Sequence, residues 1–210
     1  MFKPDPNDVQ YIQCKEFYSP QDLEYIEGLM EHFVSEESLQ KGKVIEMAKR
    51  IVRLPDGRQA FREIAYHSGA AAVVPVDEEG NVYLVYQHRC VVNKVTLEIP
   101  AGKMDEGETD PKACAVRELS EETGLVASNM ELLIKMDSSP GFCTEYVAIY
   151  LATGLTQLAR HTDEGEFLGV VKMPLKEAMQ RVQNGELTDA KTALGILMAA
   201  WRMNTNEIKQ

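Results

Sequence analysis

Apolar and polar residues alternate along the chain with two different periods, and the change between them marks out its elements. After Ser19-Pro20, the residues Leu23, Ile26, Leu29, Met30 and Phe33 recur at helical spacing, which predicts an amphipathic helix through about Val34. Residues 43–53 (KVIEMAKRIVR) and 58–66 (RQAFREIAY) read as strands around Leu54-Pro55-Asp56-Gly57, a hairpin turn signal. Residues 70–76 and 82–88 read as a buried strand pair joined by the turn Asp77-Glu78-Glu79-Gly80. Further strands are expected at 131–136, 146–152 and 167–172, with a loop at 138–142 and an acidic loop, TDEGE, at 162–166. Helices at 174–184 and 188–203 close the pattern, the first with Pro174 near its first turn and Gly185 past its end. Interleaved strands and helices predict an α/β layered fold. No repeat or low-complexity tract interrupts it. Residues 1–44 read as an N-terminal extension, and 45–210 as one domain.

One stretch carries more than packing information: GKMDEGETDPKACAVRELSEETGL, residues 102–125. Asp110 is a good N-cap, Pro111 suits the first turn, and Gly124 is placed to end the helix. At about 100° per residue, Glu118, Glu121 and Glu122 share one face. Val116, Leu119 and Thr123 fall on the other, which suits a core. Like charges at this spacing repel, and they sit near the helix C-terminus, where the dipole disfavours anions. A hard divalent cation removes both penalties, and an oxygen-only donor set points to Mg²⁺ or Mn²⁺ rather than zinc. The bland alternative is a solvated acidic face.

Composition narrows the choices. The 210 residues are 44% hydrophobic and 26% charged, ordinary for a globular protein able to bury one sizeable core. The net charge of −11, without a basic run, argues against nucleic acid and anionic membrane as partners. No apolar run reaches the length of a membrane helix, and the N-terminal MFKPDPNDVQ lacks signal-peptide character. Cys14, Cys90, Cys114 and Cys143 are scattered, which suggests reduced thiols and a cytoplasmic protein. Cys114 lies one turn ahead of Glu118, but a soft thiol is a poor ligand for Mg²⁺.

Residues 102–125 resemble the Nudix box, Gly-x5-Glu-x7-Arg-Glu-apolar-x-Glu-Glu-x-Gly-apolar, of Mg²⁺-dependent hydrolases of nucleoside diphosphates linked to another group. Gly102, Glu108, Arg117, Glu118, Leu119, Glu121, Glu122, Gly124 and Leu125 match in type. Eight residues rather than seven separate Glu108 from Arg117, and the extra one is expected in the loop ahead of Asp110. The flanks FREIAYHSGAAAVVPVD, VYLVYQHR, LEIPAG, SSPGFCTE, DEGEFLGVV and GELTDAKTALGILM resemble the ADP-ribose pyrophosphatase branch over roughly residues 42–200.

The resemblance implies a Nudix-type α/β/α sandwich with a mixed sheet, preceded by an N-terminal helix and β-hairpin extension. It implies Mg²⁺-dependent splitting of ADP-ribose into AMP and ribose 5-phosphate, with two or more ions per site. By the family's pattern Glu118 and Glu122 are direct metal ligands, joined by the carbonyl of Ala101. Glu121 contributes further, and Arg117 orients a catalytic carboxylate. The general base would be Glu166 or Glu164, in the downstream acidic loop. Arg62 and Arg89 are the candidates for binding phosphate, since guanidinium does so bidentately, and Glu145 resembles a position that contacts substrate or metal. His67 and His88 read as structural. Members of this branch pair as homodimers through their N-terminal segments, which gives the extension's surplus apolar surface a use. Two alternatives stay open: a hydrolase of another nucleotide sugar such as GDP-mannose, and a catalytically silent sensor of ADP-ribose.

Overall fold

The computed structural model describes residues 3–5, 17–158 and 168–207. Their contacts divide into two compact units, one comprising the described residues through Ser68 with the segment Ser139–Glu145, the other running from Gly69 to Ser138 and onward from Tyr146.

In the first unit, α1 (Pro20–Glu27) starts at a capping box, in which the Ser19 side chain accepts from the Asp22 amide and Asp22 reaches back to Ser19. It stops well short of Val34. Gly28 caps it, its N–H donating to Glu24 and Ile26 carbonyls, and residues from His32 on form β1 (His32–Lys41). The reason is competition. Eight residues bury no side chain fully, while β1 gains an antiparallel ladder with β2 (Glu46–Arg53) from His32↔Arg53 to Lys41↔Glu46. β2 then pairs in full register with β3 (Gln59–Tyr66) across the expected Pro-Asp-Gly turn, where Gly57 has φ +86°. The loop Ser139–Glu145 is stitched to the end of β3. Ala65 N–H donates to Phe142 O (2.7 Å), Thr144 N–H to Ala65 O (3.0 Å), and His67 N–H to Thr144 Oγ1 (2.9 Å).

The second unit is a sandwich. Its central sheet has the order β7-β4-β9-β8, from β4 (Ala70–Pro75), β7 (Ala101–Lys103), β8 (Leu125–Asp137) and β9 (Tyr146–Gln157). β4 and β9 run parallel and the other pairs antiparallel, so the sheet is mixed. Alternate side chains of its inner strands feed two cores. Ala71, Val73, Ala148 and Tyr150 pack with Cys114, Ala115 and Leu119 of α2 (Pro111–Thr123). Ala72, Val74, Ile149 and Leu151 pack with Ile196 and Ala199 of α4 (Ala190–Glu207). Helices therefore cover both faces, as an α/β/α sandwich requires.

The expected pairing of 70–76 with 82–88 fails apart from a single bridge, Val76↔Val82. Both edges of β4 are already taken by β7 and β9. The turn at Asp77, whose carboxylate accepts from the Glu79 and Asn81 amides, sends the chain elsewhere. β5 (Asn81–Arg89) becomes the middle of a second antiparallel sheet, between β6 (Lys94–Glu98) and β10 (Gly169–Pro174). α3 (Leu175–Gln183) follows β10 and packs on α4. Among the described residues no helix is long and apolar enough to cross a membrane.

Candidate active site

Helix α2 forms as its sequence dictates. The Asp110 side chain accepts from Lys112 N–H (2.9 Å), Pro111 opens the first turn, and Gly124 closes the last in the left-handed region at φ +71°. Its buried arc is wider than the periodicity suggested. Cys114, Ala115, Glu118, Leu119, Glu122 and Thr123 are all buried, whereas Val116, expected in the core, faces solvent. The sheet covers the arc centred between Leu119 and the carboxylates, so it takes in two of the three glutamates and leaves Val116 outside.

Glu118 and Glu122 are only 8% and 3% exposed. A buried carboxylate is costly unless partners replace its water. Strand β7 supplies part of that replacement, since the Ala101 N–H donates to Glu122 Oε2 at 3.0 Å. Gly102 makes the approach possible. A Cβ on it would run into the Glu118 carboxyl group, so any larger residue there would push that carboxylate aside.

Arg117 supplies the positive charge, and it is outnumbered. Its Nη1 donates to Glu118 Oε1 (2.6 Å) and Glu121 Oε2 (3.1 Å), and Nη2 donates to Lys103 O (3.3 Å). Glu108 and Asp105 stand at 3.6 and 3.7 Å. One guanidinium thus faces four carboxylates, and Glu122 is one turn from Glu118. Burial works against the Arg117 charge, but the Glu118 carboxylate and its hydrogen bond more than offset this and hold its pKa above the ordinary arginine value. The remaining negative excess, built of hard oxygens, suits a divalent cation. Among the described residues no closed cage of three or more His, Cys, Asp or Glu side chains is preformed, since Arg117 and backbone amides occupy part of the carboxylate surface. Burial pushes the Cys114 thiol up to about 12, so it is no thiolate ligand. Glu108 lies in the loop before Asp110, with its Oε2 accepting from the Asp105 amide (3.0 Å) and standing 3.6 Å from Arg117.

Residues 65–193 match the family model described as the NUDIX domain, which is more than half of the chain. The chain belongs to the Nudix family. It is 40% identical over 173 residues to the ADP-ribose pyrophosphatase of Bacillus subtilis (strain 168), covering 81% of this chain and 93% of that protein. It is 38% identical over 168 residues to the methanol dehydrogenase activator of Bacillus methanolicus, covering 79% and 90%. A solved ADP compounds hydrolase shares the fold with a TM-score of 0.73 at 20% identity, over 84% of this chain and 95% of that one.

The other candidate residues of this Nudix chain are distributed as follows. Arg89, at the end of β5, forks onto Glu98 through Nε (2.8 Å) and Nη2 (2.6 Å), while its side chain stays partly exposed. The Glu98 hydrogen bonds raise the Arg89 pKa above the ordinary arginine value, with smaller contributions from the charges of Asp189 and Glu122. Arg62 and Glu145 belong to the first unit. Arg62 is forked onto Glu31, and Glu145 Oε1 lies 3.8 Å from His67 Nδ1. Glu164 and Glu166 lie outside the described residues.

Sequence reasoning missed one cluster. Glu98, 2% exposed, is held by Arg89, by Lys191 Nζ and by Thr96 Oγ1 (2.5 Å). Burial would raise its pKa, but the Arg89 hydrogen bonds and the Lys191 charge outweigh this and hold it at about 2. The signal was present, since an acid flanked by Leu97 and Ile99 in an apolar run needs buried cationic partners.

Proposed function

We propose that the protein hydrolyses the diphosphate of ADP-ribose, or a related ADP-sugar, to AMP and ribose 5-phosphate with Mg²⁺ or Mn²⁺, two or more ions per site. The observation that carries this reading is the buried Glu118–Glu122 pair set against Gly102, with one guanidinium for four carboxylates. The relative named ADP-ribose pyrophosphatase supports the choice of substrate.

Hydrolysis here joins a water oxygen to one phosphorus of the diphosphate and breaks the bridging P–O bond, and the water's proton passes to a base. Such a reaction asks mainly for positioning and charge neutralisation. Bound divalent cations supply that neutralisation and lower the pKa of bound water. Glu118, Glu122 and the Ala101 carbonyl would hold them, with Glu121 contributing. The Ala101 N–H fixes the Glu122 carboxylate, and Arg117 aims Glu118 and Glu121 from Nη1. Glu166 or Glu164 would take the proton. Arg89 and Arg62 would receive phosphate, with Glu145 as a further contact.

We read the assembly as a homodimer formed through residues 1–44, with 45–210 as the hydrolase domain. The exposed Phe17, Tyr25 and Leu29 support it, and a monomer in light scattering at micromolar concentration would count against it. The free thiols Cys90, Cys114 and Cys143 support a reducing, cytoplasmic setting.

The test is AMP release from ADP-ribose with and without Mg²⁺, followed by chromatography beside Glu122→Gln. The variant should be slower by about two to four orders of magnitude. No turnover of ADP-ribose, with turnover of GDP-mannose or another nucleotide sugar, would reassign the substrate. Binding without any turnover would make the protein a sensor.

A further inference from the structure

Ile99 and Pro100 carry the chain from β6 in one sheet to β7 in the other and belong to neither ladder. Both are buried, so their backbone groups need partners from elsewhere. Pro100 O accepts from Val73 N–H (2.9 Å), and Ile99 N–H donates to Thr192 Oγ1 (3.0 Å). Thr192, on α4, is fully buried. Its hydroxyl donates to Asp189 Oδ2 (2.5 Å), which also accepts from the Thr192 amide (3.0 Å). Asp189 thereby turns a Thr192 lone pair towards Ile99. Gly195 lets α4 come this close, since a Cβ on it would stand 3.0 Å from both the Ile99 and the Val74 side chains.

The strand that follows Pro100 is the one that meets the box. β7 is three residues long, and each touches a different box side chain. Ala101 N–H donates to Glu122 Oε2 (3.0 Å), Gly102 lies against the Glu118 carboxyl group, and Lys103 O accepts from Arg117 Nη2 (3.3 Å). An alanine, a glycine and an exposed lysine give a ladder little to fix its register. The place of β7 against the box therefore depends on how the chain enters it. Thr192 sets that entry from the face of the sheet opposite the box helix.

We infer that Thr192, its hydroxyl oriented by Asp189, is a positioning residue that fixes the Ile99–Pro100 crossover and, through β7, the Ala101 hydrogen bond that holds Glu122. Its bearing on catalysis rests on the proposed role of Glu122 as a metal ligand.

Amide hydrogen exchange of the metal-free protein, resolved by nuclear magnetic resonance and referenced to the core amides of β9, reads this coupling without metal or substrate. Thr192→Val keeps the side-chain shape and removes the hydroxyl. The Ala101 amide should then exchange about tenfold faster, the scale of one hydrogen bond. Mn²⁺, followed by electron paramagnetic resonance, should bind about tenfold more weakly, as when a metal ligand loses an outer partner. Thr192→Ser restores the hydroxyl and should return both to within about twofold of the parent. Asp189→Asn should show the same losses at about threefold, since a neutral acceptor is the weaker one, and it covers the case that Thr192→Val does not fold. Leu175→Ala, a core truncation on α3, should lower stability and leave both readings unchanged. An Ala101 amide or an Mn²⁺ affinity unmoved in both Thr192→Val and Asp189→Asn overturns the inference. So does a serine variant as altered as the valine one, or an equal change in Leu175→Ala. Should exchange respond as stated while the parent binds no Mn²⁺ and releases no AMP, the reaction reading fails and the positioning role stands. Should the parent release AMP with the Ala101 amide unmoved in the variants, the reaction reading stands and the positioning role fails.

Discussion

Two charged clusters lie within a few residues of each other in the second unit, and they are built on opposite terms. Around Glu98, two cations meet two carboxylates, each carboxylate has a hydroxyl or amide donor besides, and the chain balances its charges by itself. Around Arg117, one cation meets four carboxylates, and a fifth lies one helical turn away. The first arrangement is what a protein builds to fix a structure. The second carries a surplus of negative charge that the chain's own cations do not offset. Charge balance within hydrogen-bond distance, more than the number of acidic residues, separates a scaffold from a site.

The contrast can be broken most severely at Gly102. Gly102→Ala places a methyl on the Glu118 carboxyl, and shifting that group by about 1 Å should lower kcat by about a hundredfold or more. Overpacking should also lower stability by about 1–3 kcal/mol. Steady-state kinetics and calorimetric melting measure the two effects separately.

Acid should find the balanced cluster. The Glu98 pKa is about 2 in the folded protein, against about 4.3 for an unfolded glutamate. Because the folded value is depressed, the stability it confers is fully present above about pH 4.3 and is lost as pH falls towards 2. That contribution is of the order of 3 kcal/mol. Melting temperatures between pH 5 and pH 2.5 should therefore fall less steeply in Glu98→Gln than in the parent.

The unbalanced cluster should respond to ions instead. At a Mg²⁺ concentration about a hundredfold above its dissociation constant, stability should rise by about 2.7 kcal/mol. In a chain of this size that is about 5–10 °C in Tm. The shift should vanish in Glu118→Gln combined with Glu122→Gln, and a shift that survived would place the cation elsewhere.

What the sequence made legible was local. The capped helix α2, the Pro-Asp-Gly hairpin and the spacing of Arg117, Glu118, Glu121 and Glu122 all depend on residues a few positions apart, and the structure keeps them. The errors were competitions settled at a distance. The helix expected to reach Val34 lost its second half to the β1–β2 ladder. The strand at 70–76 lost its expected partner because β7 and β9 already held both its edges. Val116 follows the helical period faithfully, yet which arc of α2 is buried is decided by the sheet. The Glu98 cluster shows the limit most plainly. Arg89 is nine residues from Glu98 and Lys191 ninety-three, so no window of sequence contains the interaction.

The stitching of Ser139–Glu145 to β3 has a practical consequence for anyone dissecting the protein. The first unit is discontinuous in sequence, and its seven-residue patch is encoded between β8 and β9. A gene cut at Ser68 would express an N-terminal piece lacking the partners of Ala65 and His67. The complementary piece would carry an orphaned loop, with Phe142 and Thr144 stripped of their contacts to Ala65. Shuffling either one between relatives succeeds when residues 139–145 travel with the donor of the first.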